Sequence, residues 1–146
     1  VNSIISITKE FRFEMAHALH GHRGKCAQIH GHSYRLEVTV KGTPINDPSR
    51  PDHGMVMDFA ELKAIVKEHI LDRFDHALLL SERDRHVFPD AGGLFKQLEF
   101  TSFQPTCENL MLEMVRLLNH YLPPDVTIGR LRLYETATSY AEWEGF

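Results

Sequence analysis

His30-Gly31-His32-Ser33-Tyr34-Arg35-Leu36-Glu37-Val38-Thr39-Val40-Lys41 sets the fold of this chain. From His32 onward the even positions run His, Tyr, Leu, Val, Val and the odd positions Ser, Arg, Glu, Thr, Lys, the period of two that marks a half-buried β-strand. His30 and His32 extend the apolar face of that strand. Upstream, Ile5, Ile7, Phe11, Phe13, Met15 and His17 share odd parity, interrupted at Lys9, and read as a second long strand with one wet or bulged position. If the two strands pair, His17 faces His30 and His32 across the pair. Between them Gly21, Arg23, Gly24 and Lys25 form a loop that presents Cys26.

Three imidazoles converging beside a thiol are the pattern of a zinc site, although copper or nickel also suits imidazole. Three nitrogen ligands leave a fourth position for water or a substrate oxygen, as in a catalytic metal. The alternative is three satisfied histidines at the edge of the core. Burying three converging rings without a partner is costly, and that favours metal. Cys26 either closes the site as a fourth ligand or stands beside it as a thiolate, its pKa lowered by Arg23, Lys25 and the metal.

The chain's 146 residues and 42% hydrophobic content fit one domain spanning 1–146 with its own core. Its net charge of -4, without a Lys/Arg-rich run, argues against a nucleic-acid partner or an anionic membrane surface. No stretch is long and apolar enough to span a bilayer, and Val1 to Glu10 lacks the order of a signal peptide, so a cytoplasmic location is expected. Ten histidines justify a search for metal, but His20, His22, His53, His69, His86 and His120 have no spacing that singles them out.

Prolines 44, 48 and 51 mark a surface loop, after which Asp58 with Glu61 opens a helix carrying Phe59, Leu62, Ile65, Val66, His69 and Ile70 on one face and ending near Arg73. Residues 77 to 104, with Pro89 and Gly92-Gly93, read as an irregular excursion with at most a short helix. Pro105 and Thr106 begin a second helix with Leu110, Met111, Met114, Leu117, Leu118 and Tyr121 as its buried stripe. A strand through Leu131, Leu133 and Glu135, a turn at 136–139 and a strand from Tyr140 to Glu144 close the chain. The predicted fold is α+β, strand order ββααββ, with two helices on one face of a four-stranded antiparallel sheet whose open edges invite edge-to-edge assembly.

Other chemistry-bearing residues have bland alternatives. Asp75-His76 suits a proton relay, but adjacent Asp-His pairs are common by chance. Glu135 lies at an apolar parity position, where a carboxylate needs a donor. The N–H/NH2 edge of a guanidine-like heterocycle would supply two, and Arg130 and Arg132 point to the other face. Thr106, Cys107 and Glu108 read on chain evidence as helix capping, with Glu108 favoured by the dipole.

Phe13-x-x-Ala16-His17, Cys26-x-x-x-His30-Gly31-His32, Gly54-Met55-Val56-Met57-Asp58-Phe59, Asp75-His76, Pro105-Thr106-x-Glu108-Asn109 and Tyr134-Glu135-Thr136 occur here in one order. That series resembles the 6-pyruvoyl-tetrahydropterin synthase / 6-carboxy-tetrahydropterin synthase family over nearly the whole chain. The resemblance implies a tunnelling fold, with three subunits joining sheets into a barrel, two trimers stacking as a homohexamer, and active sites between subunits. It implies Zn2+ on His17, His30 and His32, Cys26 as general base, and Asp75 with His76 completing a relay from a neighbouring subunit. It further implies Glu135 as anchor of a pterin, assisted by Thr106, Cys107 and Glu108, in the substrate 7,8-dihydroneopterin triphosphate. Arg23, Lys25 and His22 are candidates to receive the triphosphate.

The Cys26 to His30 spacing looks like that of the bacterial enzymes of queuosine biosynthesis, which give 6-carboxy-5,6,7,8-tetrahydropterin and acetaldehyde. In the animal-type branch, which makes the pyruvoyl product, the cysteine stands further from the His-Gly-His. Two departures from the family pattern are the length of the 77–104 excursion and Cys107, where Thr or Ser is usual. Outside the family, a metal-dependent hydrolase would use the three histidines without Cys26, and a non-catalytic zinc module would use Cys26 as fourth ligand.

Overall fold

In the computed structural model, which describes residues 3–87 and 94–145, β1 (Ile5–His17) and β2 (His30–Gly42) form a long antiparallel pair in unbroken register, from Ile5 opposite Gly42 to His17 opposite His30. Alternation therefore carries Phe11, Phe13 and Met15 of β1 and Tyr34, Leu36 and Val38 of β2 to one buried face. Lys9 is half-buried within the regular ladder, its ammonium 5.9 Å from the Phe11 ring centroid, so no bulge forms there. The register shift in this part of the sheet falls instead between Thr39 and Val40, where β2 meets β5.

Asp58 caps α1 (Phe59–Val66) by accepting the Ala60 N–H at 2.8 Å. The helical path continues through a π-helical turn at Lys67–Leu71 into the short α2 (Asp72–Phe74). Leu62, Val66, Ile70 and Phe74 face the core, whereas Phe59, expected on that face, is exposed. The second long helix, α3 (Cys107–Tyr121), is capped by Thr106 Oγ1, which accepts the Asn109 N–H at 3.1 Å. Leu110, Met111, Met114 and Leu118 are buried as expected, Val115 joins them, and Tyr121 is exposed. No helix among the described residues is long and apolar enough to cross a membrane.

The expected four-stranded antiparallel ββααββ sheet is corrected by the segment between the helices. It holds β3 (Ala77–Ser81), a 3-10 segment at Glu82–Val87, and β4 (Leu98–Thr101), ahead of β5 (Thr127–Tyr134) and β6 (Tyr140–Glu144). The sheet is six-stranded and mixed, in the order β4-β3-β1-β2-β5-β6, with β3 parallel to both β1 and β4. Every residue of β3 is buried, so Ala-Leu-Leu-Leu-Ser carries no alternation and reads as a bare apolar run. Pro89 and Gly92-Gly93 lie outside the described residues.

The helices pack on one sheet face, enclosing a core that runs from Phe11 and Leu36 to Leu118 and Leu133. On the other face Ala18, Leu78 and Leu80 make a small second cluster near β3. Further along, that face is polar, with Arg35 paired to Glu10 and Glu37, and Arg132 to Glu142. Exposed pairs of this kind contribute little to stability, so the one-sided apolar core carries the fold. Leu79→Ala, in the fully buried β3, is expected to destabilise the protein by about 2–5 kcal/mol, and Leu94→Ala at an exposed position by less than about 0.5 kcal/mol, read from denaturant midpoints.

Candidate metal centre

The β1–β2 register brings His17 and His30 directly opposite one another, with His32 one alternate position along the same face. The rings meet at 4.6 to 5.3 Å between centroids, and one nitrogen of each lies within 4.8 Å of the others. His17 is 1% exposed, while His30 and His32 are half-buried, so the cluster opens outward from a sealed floor.

Two backbone carbonyls decide which nitrogens are available. His17 Nδ1 donates to Pro105 O at 2.7 Å and His30 Nδ1 donates to Gln28 O at 2.7 Å. A carbonyl only accepts, so each Nδ1 carries the proton and each Nε2 of the neutral ring presents a lone pair. Those two Nε2 atoms are 3.1 Å apart. Bare lone pairs at that distance repel, and a cation between them removes the conflict. The separation is near the edge of about 3.3 Å expected for a tetrahedron with metal–nitrogen bonds of 2.0–2.1 Å. The residues therefore fit a metal ion. Burial, partly opposed by the Pro105 carbonyl, lowers the His17 pKa from the ordinary 6.5, which keeps the ring neutral and ready to ligate.

Glu135 follows the last residue of β5, and its Oε1 lies 3.4 Å from His17 Nε2 and 3.5 Å from His32 Nε2. The sequence set it apart by its parity with Leu131 and Leu133, and the structure brings it against the histidines. Its backbone N–H is held by Ser139 O at 3.0 Å across the β5–β6 turn.

Cys26 sits half-buried in a 3-10 turn, Lys25–Ala27, and is outside the group of converging ligand atoms. Asp75 and His76 form a separate pair. Asp75 Oδ1 accepts the Glu14 N–H at 2.9 Å and is 3.0 Å from His76 Nδ1. His76 has a left-handed φ of 64° and its N–H donates to Glu14 O at 2.6 Å, an arrangement that costs about 1–3 kcal/mol and is held by the neighbouring strand. Its side chain is 74% exposed, and with His32, Glu14 and Ser33 it lines an open cavity of about 330 Å³.

Of the three residues at the α3 N-terminus, Thr106 spends its hydroxyl on the cap and Glu108 faces solvent in the first turn. Cys107 is buried, its thiol donating to Leu133 O at 3.3 Å and pushed up to about 12 by that burial. The carbonyls of Pro105 and Gln28 are site residues that the sequence did not mark, because every residue carries a carbonyl. Pro105 had only its place before the capping threonine to point to it.

Residues 6–145 match the family model described as 6-pyruvoyl tetrahydropterin synthase. The chain is 36% identical to the 6-carboxy-5,6,7,8-tetrahydropterin synthase of Haemophilus influenzae, over 97% of this chain and 99% of that protein. It is 29% identical to the enzyme of the same name from Rickettsia felis, over 95% and 99% of the two chains. Among solved structures it is similar to the 6-pyruvoyl tetrahydropterin synthase of Caenorhabditis elegans, with a TM-score of 0.72 and 26% identity over 99% of this chain and 98% of that one.

Lowering the His17 pKa makes the unfolded chain bind more protons than the folded one near that ring. The metal-free protein is therefore expected to hold this increment of stability above pH 6.5 and to lose it as pH falls below that value through the folded pKa. Chelator-treated protein unfolded in denaturant between pH 5 and 8 measures it, and His17→Gln should flatten the slope. His30→Ala should abolish stoichiometric divalent-metal binding in equilibrium dialysis.

Proposed function

This chain belongs to the 6-pyruvoyl tetrahydropterin synthase family, and we propose that it is a zinc-dependent lyase, a 6-carboxy-5,6,7,8-tetrahydropterin synthase. It converts 7,8-dihydroneopterin triphosphate to 6-carboxytetrahydropterin, acetaldehyde and triphosphate, on the route to queuosine or a related deazapurine. The observation that carries the reading is the convergence of the His17, His30 and His32 nitrogens, with the Glu135 carboxylate beside them, in a chain so similar to enzymes of that name.

His17, His30 and His32 would hold the zinc, which when bound would supply Lewis acidity toward the substrate's side-chain hydroxyls. Cys26 is the base. Its half-buried position outside the ligand group supports this role, because a thiolate that is not a ligand is free to take a proton and become the thiol. Glu135 accepts two hydrogen bonds from the N–H and NH2 of the pterin's guanidine-like edge, with the α3 N-terminus at Thr106, Cys107 and Glu108 beside it. The 29% exposure of the Glu135 side chain leaves it reachable by a ligand.

Asp75 holds His76 so that the imidazole can pass protons between the substrate's side chain and ring. The exposed position of His76 supports a pair that serves a site shared between subunits, as in a homohexamer. Arg23, Lys25 and His22 receive the triphosphate in this reading, and their exposure in the β1–β2 loop supports it.

Mass spectrometry of products from zinc-loaded protein and 7,8-dihydroneopterin triphosphate tests this. Wild type is expected to yield 6-carboxytetrahydropterin and acetaldehyde, and Cys26→Ala to lose at least about 100-fold in rate. A pyruvoyl pterin would move the chain to the other branch of the family. Activity that survives in Cys26→Ala would remove the thiol from the mechanism.

A further inference from the structure

The β1–β2 loop, which carries Cys26, is fastened at two points. Leu19 N–H donates to Cys26 O at 2.8 Å, closing the loop on itself. At the next residue, the carboxamide of Gln104 grips both backbone groups of His20. Its Oε1 accepts the His20 N–H at 3.0 Å and its Nε2 donates to His20 O at 2.8 Å. A side chain here does what a neighbouring strand would do, satisfying donor and acceptor of one residue together. The His20 imidazole adds a third tie, with Nδ1 2.7 Å from Asp84 Oδ1.

Gln104 is itself immobilised. Its carbonyl accepts the Thr106 N–H at 2.8 Å and Asn109 Nδ2–H at 3.0 Å, locking it to the start of α3. The next carbonyl along the chain, that of Pro105, fixes the His17 ring. Two consecutive residues, 88 and 84 positions away from their partners, thus hold a metal ligand through one and the cysteine loop through the other.

We infer that Gln104 is a positioning residue that sets where the Cys26 thiol stands relative to the three-histidine centre. The inference rests on the reading of Cys26 as the base. Gln104 touches neither metal nor substrate in this role; it fixes the loop against the same strut that orients His17.

Gln104→Met keeps the volume and loses both hydrogen bonds, and Gln104→Ala loses both volume and bonds. In zinc-loaded enzyme, both are expected to lower kcat on the order of 10- to 100-fold, because small misplacements of a reacting group are that costly. KM should stay within about twofold, since substrate contacts are untouched. Zinc content should match wild type. Iodoacetamide labelling at pH 8, followed by mass spectrometry, should show Cys26 alkylated at least about threefold faster in both variants as the loop loosens, with buried Cys107 silent.

Wild-type kcat and labelling in Gln104→Met would overturn the inference, since packing alone would then suffice. Loss of zinc in both variants would also overturn it, by showing that residue 104 acts on the metal through Pro105. Full activity in Cys26→Ala would instead bring down the catalytic reading, and this inference with it, which separates the two failures.

Discussion

The site depends on one constraint, the register of β1 against β2. With side chains alternating and no bulge along the pair, His17, His30 and His32 can share a face only while His17 stands opposite His30. A slip of one residue would send one strand's apolar set to the polar face and its histidine with it. The buried faces of Phe13, Met15, Tyr34 and Leu36 therefore protect the metal centre as well as the core, because the same parity governs both.

Around this pair the rest of the chain supplies orientation. The carbonyls of Pro105 and Gln28 choose the nitrogen that each ring offers, Glu135 brings the nearby negative charge, and the N-terminus of α3 braces both the His17 ring and the loop behind it. Ring geometry is hard to hold with side chains alone, and here it is held by backbone carbonyls of short segments that lie directly before β2 and before the cap of α3. With the three histidines on strands and their orienting carbonyls just before β2 and just before the α3 cap, one sheet face is apolar for most of its length and polar at one end.

Much of this is legible in the sequence, for physical reasons that differ by element. β1, β2 and β5 have one wet and one dry face, so their period of two is visible. Asp58 and Thr106 announce their helices because an N-terminal amide needs an oxygen and those residues supply one. β3 is hidden because both of its faces are dry, and β4 because four residues leave no room for a period. The π-helical turn at Lys67–Leu71 leaves no mark in a pattern of apolar spacing. At the site, the three histidines and Glu135 are readable by parity. The contacts of Gln104 and the pairing of His20 are not, because they join distant segments that no local pattern encodes.

The separations along the chain also order the events by which the centre comes into being. His17 and His30 are 13 residues apart and belong to one hairpin, which can close quickly and without help from elsewhere. The Pro105 carbonyl and Glu135 arrive only with non-local pairing, when α3 docks and β5 joins β2. A partly folded hairpin would thus hold His30 oriented by the nearby Gln28 carbonyl but leave the tautomer of His17 unassigned, and would bind a cation weakly, whereas the finished sheet offers both oriented nitrogens. Tight metal binding would in this sense be a late folding event, favouring a chain that has reached its native topology over one that has merely formed its first hairpin.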